Sequence, residues 1–248
     1  MNTLTEYNKI TKNKTVAVIL LLMGLLGIAI VIYRIAGYQF EYNEQFTPID
    51  YGRFNVLSYF TIQSNFCACL YFITAALAIF GNARAQKIAF NPVLGAFITL
   101  YVFVAGATYN MGFPLHMTQA LTFDTFYHAF ISCMQMYFHV IMVIATLWLW
   151  LFPFKNVKLG AKTIFASGIY PLVYSLFSMV RGALFEPTYY PYPFYNPEWV
   201  WSTFMKDKPF SPGGAYGLIA VLLVFGIGLF IAICAVLVLI HNKRIKRG

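Results

Sequence analysis

Charged residues are scarce in this chain: they make up 10% of its 248 residues, while hydrophobic residues make up 60%. A soluble domain carries about a quarter charged residues, so the composition excludes an ordinary soluble globular protein. The apolar residues fall in blocks of about 20, which is long enough to cross a hydrocarbon core about 30 Å thick. The short alternating segments typical of membrane barrels are absent. We therefore predict an all-α integral membrane protein.

Familiar catalytic and cofactor motifs are also missing. The sequence has no G-x-S-x-G or H-E-x-x-H motif, no phosphate-binding glycine loop and no carboxylate pair. The four cysteines all fall within apolar blocks, and Cys67 and Cys69 would project about 200° apart on a helix. Neither a disulfide framework nor a metal site is indicated, and we predict no cofactor. None of the eight acidic residues lies in the middle of an apolar block, which argues against an ion-driven pump.

Six apolar blocks predict six transmembrane helices. No internal repeat is visible, so residues 1–248 are predicted to form a single six-helix membrane domain. The predicted spans cover residues of about 15–36, 56–80, 93–112, 126–152, 163–182 and 215–240.

The distribution of charge predicts the orientation. Of the 17 Lys and Arg residues, 12 fall on the side that holds both termini, and seven of the eight acidic residues fall on the other side. Basic residues concentrate in cytoplasmic loops, so both termini are predicted to be cytoplasmic and the protein to be a multi-pass protein of the cell membrane. Topology thus explains the net charge of +9 without a nucleic-acid partner. The basic tail, residues 241–248, could also lie against anionic lipid headgroups.

Polar residues form stripes on three of the predicted spans, where an unpaired polar group is costly. In FTIQSN (60–65) of the second span, helical spacing puts Thr61, Ser64 and Asn65 on one face, with Gln63 about 200° away from Thr61. The other two stripes are Ser132, Gln135 and His139 with His128 on the fourth span, and Tyr170, Tyr174, Ser178 and Arg181 on the fifth. These residues are predicted to line a polar cavity in the outer half of the bilayer.

Two classes of function can use such a cavity. In one, a hydroxyl beside an imidazole acts as nucleophile and base on an ester, while amide donors hold the oxyanion. In the other, the protein is not an enzyme, and the polar groups bind or conduct a small molecule. The aromatic outer segment TYYPYPFYNPEWVW (188–201) either anchors the protein at the headgroup level or caps the cavity.

Three motifs resemble the bacterial branch of the androgen-induced gene / androgen-dependent TFPI-regulating protein family of six-span membrane proteins. They are FTIQSN, the spacing of His139 and Trp150, and YPLVYSLFSMVRG (170–182) followed by YPYPF (190–194). The resemblance extends over nearly the whole chain in span order. Two positions depart from the family pattern: VIMVIA follows His139 where relatives have a proline, and Leu149 precedes Trp150 where relatives have an aspartate.

The resemblance implies a threonine-type hydrolase that cleaves fatty acid esters within the membrane. Carried over to this sequence, Thr61 would be the nucleophile and His139 its base, although His128 leaves the choice of histidine open. Asn65, Ser64 or Gln135 would orient the pair or hold the oxyanion. A lipid ester would enter from the outer leaflet beneath YYPYPFYNP (189–197), so membrane lipid is the expected partner.

Overall fold

The computed structural model describes residues 13–36, 53–112, 121–151, 157–184 and 190–245. These residues are almost entirely helical and include no β-strand. The α-helices, in chain order, are α1 Lys14–Ala36, α2 Phe60–Ile79, α3 Ala83–Ala89, α4 Pro92–Gly112, α5 Phe126–Met136, α6 Met142–Leu151, α7 Ala161–Ala166, α8 Ile169–Leu184, α9 Pro197–Phe204 and α10 Pro212–Ile245. Two 3-10 helices, Arg53–Ser58 and Pro193–Tyr195, and one π-helical turn, Tyr137–Ile141, complete the described elements.

Six helical units are long and apolar enough to cross a membrane, which confirms the prediction of six spans. They are Lys14–Ala36, Phe60–Ile79, Pro92–Met111, His128–Leu151, Ala161–Leu184 and Pro212–Ile245. The fourth span consists of α5, the π turn and α6, and the fifth consists of α7 and α8. The protein is therefore an all-α, multi-pass integral membrane protein.

The cytoplasmic location of both termini stays a prediction. Several of the basic residues on which it depends lie outside the described residues, as does most of the first outer segment: Lys9, Lys12, Lys155, Lys246, Arg247 and residues 37–52.

Helix α4 lies in the middle of the bundle, where it contacts α2, α6 and α10. Helix α1 packs along α2, and two glycines allow their backbones to approach. A Cβ atom on Gly24 would lie 2.7 Å from the carbonyl oxygen of Cys69, and a Cβ on Gly27 would collide with the Cys69 sulfur. Small residues at such crossings are the usual means of close helix packing in a bilayer, where apolar surfaces gain little from leaving lipid.

Near its C-terminal end, α10 holds the turn that precedes α7. The Asn242 side chain accepts from the Leu159 N–H at 3.0 Å and donates to the Leu159 carbonyl at 2.8 Å. His241 Nε2 donates to the Val157 carbonyl at 2.8 Å, and the His241 ring stacks on Trp150. The last span is thus fixed to the connection between the fourth and fifth spans.

Candidate functional site

The fourth span contains a π-helical turn at its middle, Tyr137–Ile141. There the Met142 N–H donates to a carbonyl five residues back instead of four. The neighbouring helix α4 stabilises this turn: the Asn110 side chain donates to the His139 carbonyl at 3.0 Å. Gly106 faces the same carbonyl so closely that a Cβ there would lie 2.7 Å from the oxygen. Single π turns within α-helices are rare and occur frequently at functional sites.

His139 is the titratable side chain on this turn. It is 5% exposed, and its Nδ1 lies 2.9 Å from the Gln135 carbonyl oxygen. Because a carbonyl only accepts, Nδ1 carries the hydrogen and Nε2 keeps its lone pair. The imidazole stacks on Tyr109 with ring centroids 3.8 Å apart, and Nε2 makes no hydrogen bond to a described residue. The ring is therefore fixed in one tautomer with a nitrogen that can take up a proton.

The first turn of α2 is capped by tyrosines from elsewhere in the chain. Tyr59, at the N-cap position, makes no side-chain capping bond. Instead, the Tyr174 hydroxyl accepts from the Phe60 N–H at 3.1 Å and donates to the Ser58 carbonyl at 2.7 Å. Phe60 is buried, so water does not reach this N–H group of the first turn, and the Tyr174 hydroxyl takes the place of water.

Thr61 is half-buried beside Tyr192. The Tyr192 hydroxyl lies 3.4 Å from the Thr61 backbone nitrogen and 3.4 Å from Thr61 Oγ1. The Thr61 hydroxyl does not bond to the carbonyl four residues back, which is the usual partner of a membrane threonine. That carbonyl, on Leu57, accepts from the Gln63 amide at 2.8 Å. The Thr61 hydroxyl is therefore left to contact the Tyr192 hydroxyl.

Ser64 and Asn65 both donate to the backbone carbonyl of Thr61, at 3.1 and 2.9 Å. This contact fixes the orientation of the Asn65 amide, because the carbonyl can only accept from Nδ2. Asn65 is 0% exposed, and its Oδ1 has no hydrogen-bond partner among the described residues. Ser64 and Asn65, the predicted oxyanion donors, thus donate to the Thr61 backbone carbonyl, and the Asn65 Oδ1 acceptor has no partner among the described residues.

Gln63 belongs to the same region through its contact with Tyr170. The Tyr170 hydroxyl donates to Gln63 Oε1 at 2.5 Å. The helical-face prediction set Gln63 apart from Thr61 and placed Tyr170 in the cavity lining. The pair shows that α8 reaches α2 on the Gln63 face as well, so polar contacts surround the first two turns of α2.

Residues Tyr190–Tyr195, here called the strap, lie against α8 and carry Tyr192 to Thr61. The Tyr190 ring packs on Gly182, where a Cβ would overlap it. At the other end of the strap, Tyr195 and Ser175 share a hydrogen bond of 2.8 Å, and the Ser175 hydroxyl also donates to the carbonyl four residues back. Tyr195 is therefore the donor in this pair, and burial raises the pKa of its hydroxyl to about 12.

Two of the remaining predicted polar residues of the fourth span, Ser132 and His128, contact the segment that precedes it. Ser132 donates to the Thr122 carbonyl at 2.7 Å and accepts from the Thr122 N–H at 2.9 Å. His128 lies exposed near the start of the span, with Nδ1 2.7 Å from the Asp124 carboxylate. This hydrogen bond holds the pKa of Asp124 below its usual value. Gln135 contributes its backbone carbonyl to His139.

On the fifth span, Arg181 contacts the 3-10 helix that precedes α2. Its guanidinium donates to the Asn55 side chain at 3.0 Å. Ser178, about one turn closer to the middle of the span, is 1% exposed. Together with Tyr170 and Tyr174, these residues form a polar face on α8. Its opposite face, which includes Leu172 and Leu176, is exposed and apolar.

The structure brings Thr61, Ser64 and Asn65 together with Tyr192, and it places Tyr170 and Tyr174 around the same end of α2. His139 lies in a second set of contacts with α4 and is not hydrogen-bonded to Thr61 among the described residues. His128 contacts Asp124 instead. In the described part of the chain, no cluster of three or more His, Cys, Asp or Glu residues could hold a metal ion.

No protein-family model, no curated protein and no solved structure matches this chain. The function is therefore inferred from the site itself.

Several residues of the site are not evident from the sequence pattern. In the sequence Tyr192 is one residue of an aromatic segment, and its hydroxyl contact with Thr61 depends on how the strap folds back. Tyr109 and Asn110 contact His139 from the end of α4, and the signal that could have found them is a polar pair at the end of an apolar span. Helical spacing compares residues on one helix only, so it cannot show the contact of Gln63 with Tyr170 of α8.

Proposed function

We propose that this membrane protein is a hydrolase that cleaves lipid esters within the bilayer, with His139 as the general base and Thr61 as the nucleophile. The observation that carries the proposal is the π turn at His139. It holds a neutral imidazole in one tautomer, with Nδ1–H on a backbone carbonyl and Nε2 free to accept a proton. The sequence motifs around Thr61 and His139 support the same assignment.

In the proposed reaction, Thr61 Oγ1 forms a bond with the ester carbonyl carbon while its proton passes to His139 Nε2. The alcohol then leaves with that proton, and water releases the acid from Thr61. No described hydrogen bond joins the two side chains in this structure. Proton transfer therefore requires a bridging water or a closer approach of α2 and the π turn when substrate binds.

Substrate would reach the site from the lipid phase. The face of α8 opposite Tyr174 is exposed and apolar, whereas the face with Tyr170, Tyr174 and Ser178 lies against α2 and the strap. An ester whose acyl chain stays among lipid tails could bring its carbonyl group to the polar face. Substrates with long acyl chains are therefore expected to be preferred.

A second candidate function is the binding of a small molecule without chemistry. The observation that favours it is the pairing of Thr61 with a tyrosine hydroxyl instead of a base. A neutral phenol is a weak base, so this pair alone would bind a ligand and would not activate a nucleophile. The hydrolysis experiment separates the two functions.

The test is labelling of the purified full-length protein, in lipid nanodiscs, with a long-chain fluorophosphonate, together with hydrolysis of a long-chain ester. Thr61→Ala and His139→Ala should lose labelling, and His139→Ala should lower hydrolysis by about 10²- to 10⁴-fold. Thr74→Ala is the matched control on the same helix, since its hydroxyl bonds the Leu70 carbonyl. His128→Ala tests the other histidine. Labelling of Thr61→Ala at the wild-type level, or a folded wild type without labelling, would refute the proposal.

A further inference from the structure

The Tyr192 hydroxyl makes two contacts with Thr61 that the proposed reaction does not use. The Tyr192 hydroxyl accepts from the Thr61 backbone N–H at 3.4 Å. The same hydroxyl oxygen also lies 3.4 Å from Thr61 Oγ1. These are long for hydrogen bonds that involve a hydroxyl, so they are easily replaced. The Tyr174 hydroxyl, in contrast, is bonded on both sides, at 3.1 and 2.7 Å.

The Thr61 N–H is also free of any helical partner. It is in the first turn of α2, where N–H groups have no carbonyl within the helix and carry the positive end of the helix dipole. Next to it, the donors of Ser64 and Asn65 are directed to the Thr61 carbonyl. The Thr61 N–H is therefore the donor near this hydroxyl that a ligand oxygen could use by displacing only Tyr192.

A second, independent observation concerns Asn65, the next residue but three on the same helix. Asn65 is completely buried, one helical turn from Thr61, and its Oδ1 has no partner in the described structure. A buried carbonyl oxygen without a hydrogen bond is unfavourable, and such atoms call for a bound water or ligand group. An acceptor on Asn65 and a displaceable donor on Thr61 together fit a molecule that offers a carbonyl oxygen and is accompanied by a hydroxyl or water.

We infer that the first turn of α2 is a binding site for the carbonyl oxygen of a lipid ester or amide, that the Thr61 N–H is its donor, and that the Tyr192 hydroxyl occupies the place of that oxygen when no ligand is bound. The inference deepens the proposed function. Its statement about the chemical step rests on that function, and its statement about binding does not. In a hydrolase, the same N–H would stabilise the oxyanion that forms when Thr61 Oγ1 attacks. Binding itself requires no reaction, so it can be measured separately.

The experiment compares the affinities of the full-length protein in nanodiscs for two probes. One is a long-chain secondary amide, a slowly hydrolysed analogue with a carbonyl group, and the other is the matching alkane chain without the carbonyl. Tyr192→Phe keeps the ring and removes the hydroxyl, so it should bind the amide about fivefold more tightly than the wild type, which is the order expected for one hydrogen bond that no longer has to be displaced. Its affinity for the alkane probe should not change.

Tyr195→Phe is the matched control, because it removes a hydroxyl from the same strap whose partner is Ser175. It should leave the affinity for the amide unchanged. An unchanged or weaker affinity of Tyr192→Phe for the amide would overturn the inference, as would an equal gain for the alkane probe or for Tyr195→Phe. Thermal unfolding of each variant checks that the fold is retained. A wild type without ester hydrolysis that still shows the amide-specific gain would refute the proposed reaction and leave the binding site standing.

Discussion

Gly106 offers a direct test of the contact between α4 and the π turn. A Cβ atom at this position would lie 2.7 Å from the His139 carbonyl oxygen and would collide with the Val143 side chain. The carbonyl belongs to the backbone and cannot rotate away, so Gly106→Ala must separate the helices or change the π turn. Overpacking of this kind costs about 1–3 kcal/mol.

The helix propensity of alanine acts in the opposite direction, since Gly to Ala favours a helix by about 1 kcal/mol. A control variant removes this contribution. Gly226 lies on α10, and a Cβ built there has no atom within 4 Å. Gly226→Ala therefore has the propensity gain without the collision, and the difference between the two variants should be about 1–3 kcal/mol in the free energy of unfolding.

Reversible unfolding of the purified protein in mixed micelles, followed by circular dichroism, measures this difference. Ester hydrolysis should fall in Gly106→Ala and stay at the wild-type level in Gly226→Ala, because only the first variant disturbs the turn that positions His139. If the two variants have the same stability, α4 does not approach the π turn as closely as described, and the explanation of the turn by its neighbour is wrong.

Three further predictions concern other contacts. A double-mutant cycle of Gln63→Leu and Tyr170→Phe should give a coupling energy of about 1 kcal/mol in unfolding, and additive effects would contradict the pairing of α2 with α8. Asn242→Ala should speed proteolytic cleavage in the turn before α7, because it removes both hydrogen bonds to Leu159. Limited proteolysis measures the rate, with Asn242→Asp as the partial control. An unchanged cleavage rate would show that this side chain does not hold the turn. His128→Gln should raise the pKa of Asp124 towards its ordinary value, since it weakens the hydrogen bond that favours the carboxylate. A carbon-detected NMR titration measures this pKa. An unchanged pKa would exclude the contact between the two side chains.

The six spans were predictable because length and hydropathy alone determine whether a helix can cross a bilayer. Their bounds agree within a few residues, as for the second span, predicted at about 56–80 and observed at Phe60–Ile79. The difference at its start has a physical cause: residues Arg53–Ser58 form a separate 3-10 helix. Hydropathy does not distinguish such a turn from the first turn of the span.

The site was predictable only as far as single helices allow. Spacing grouped Thr61 with Ser64 and Asn65, and the side chains of Ser64 and Asn65 both donate to the Thr61 backbone carbonyl. Spacing could not show that Tyr192 would cap Thr61, because that contact joins residues 131 positions apart in the sequence. It also assumed a regular α-helix through His139, whereas the π turn depends on Asn110 of another helix.

The π turn has a consequence for the fourth span as a whole. One additional residue per turn rotates everything that follows by about 100° relative to a regular helix. The face that carries Ser132 before the turn is therefore not continuous with the face that carries Trp150 after it, and the span behaves as two segments joined at a fixed twist. Deleting one residue between Tyr137 and Ile141 would remove the extra residue, restore regular winding and leave Trp150 stacked on His241, whereas regular winding of the span at its present length would turn Trp150 away from His241.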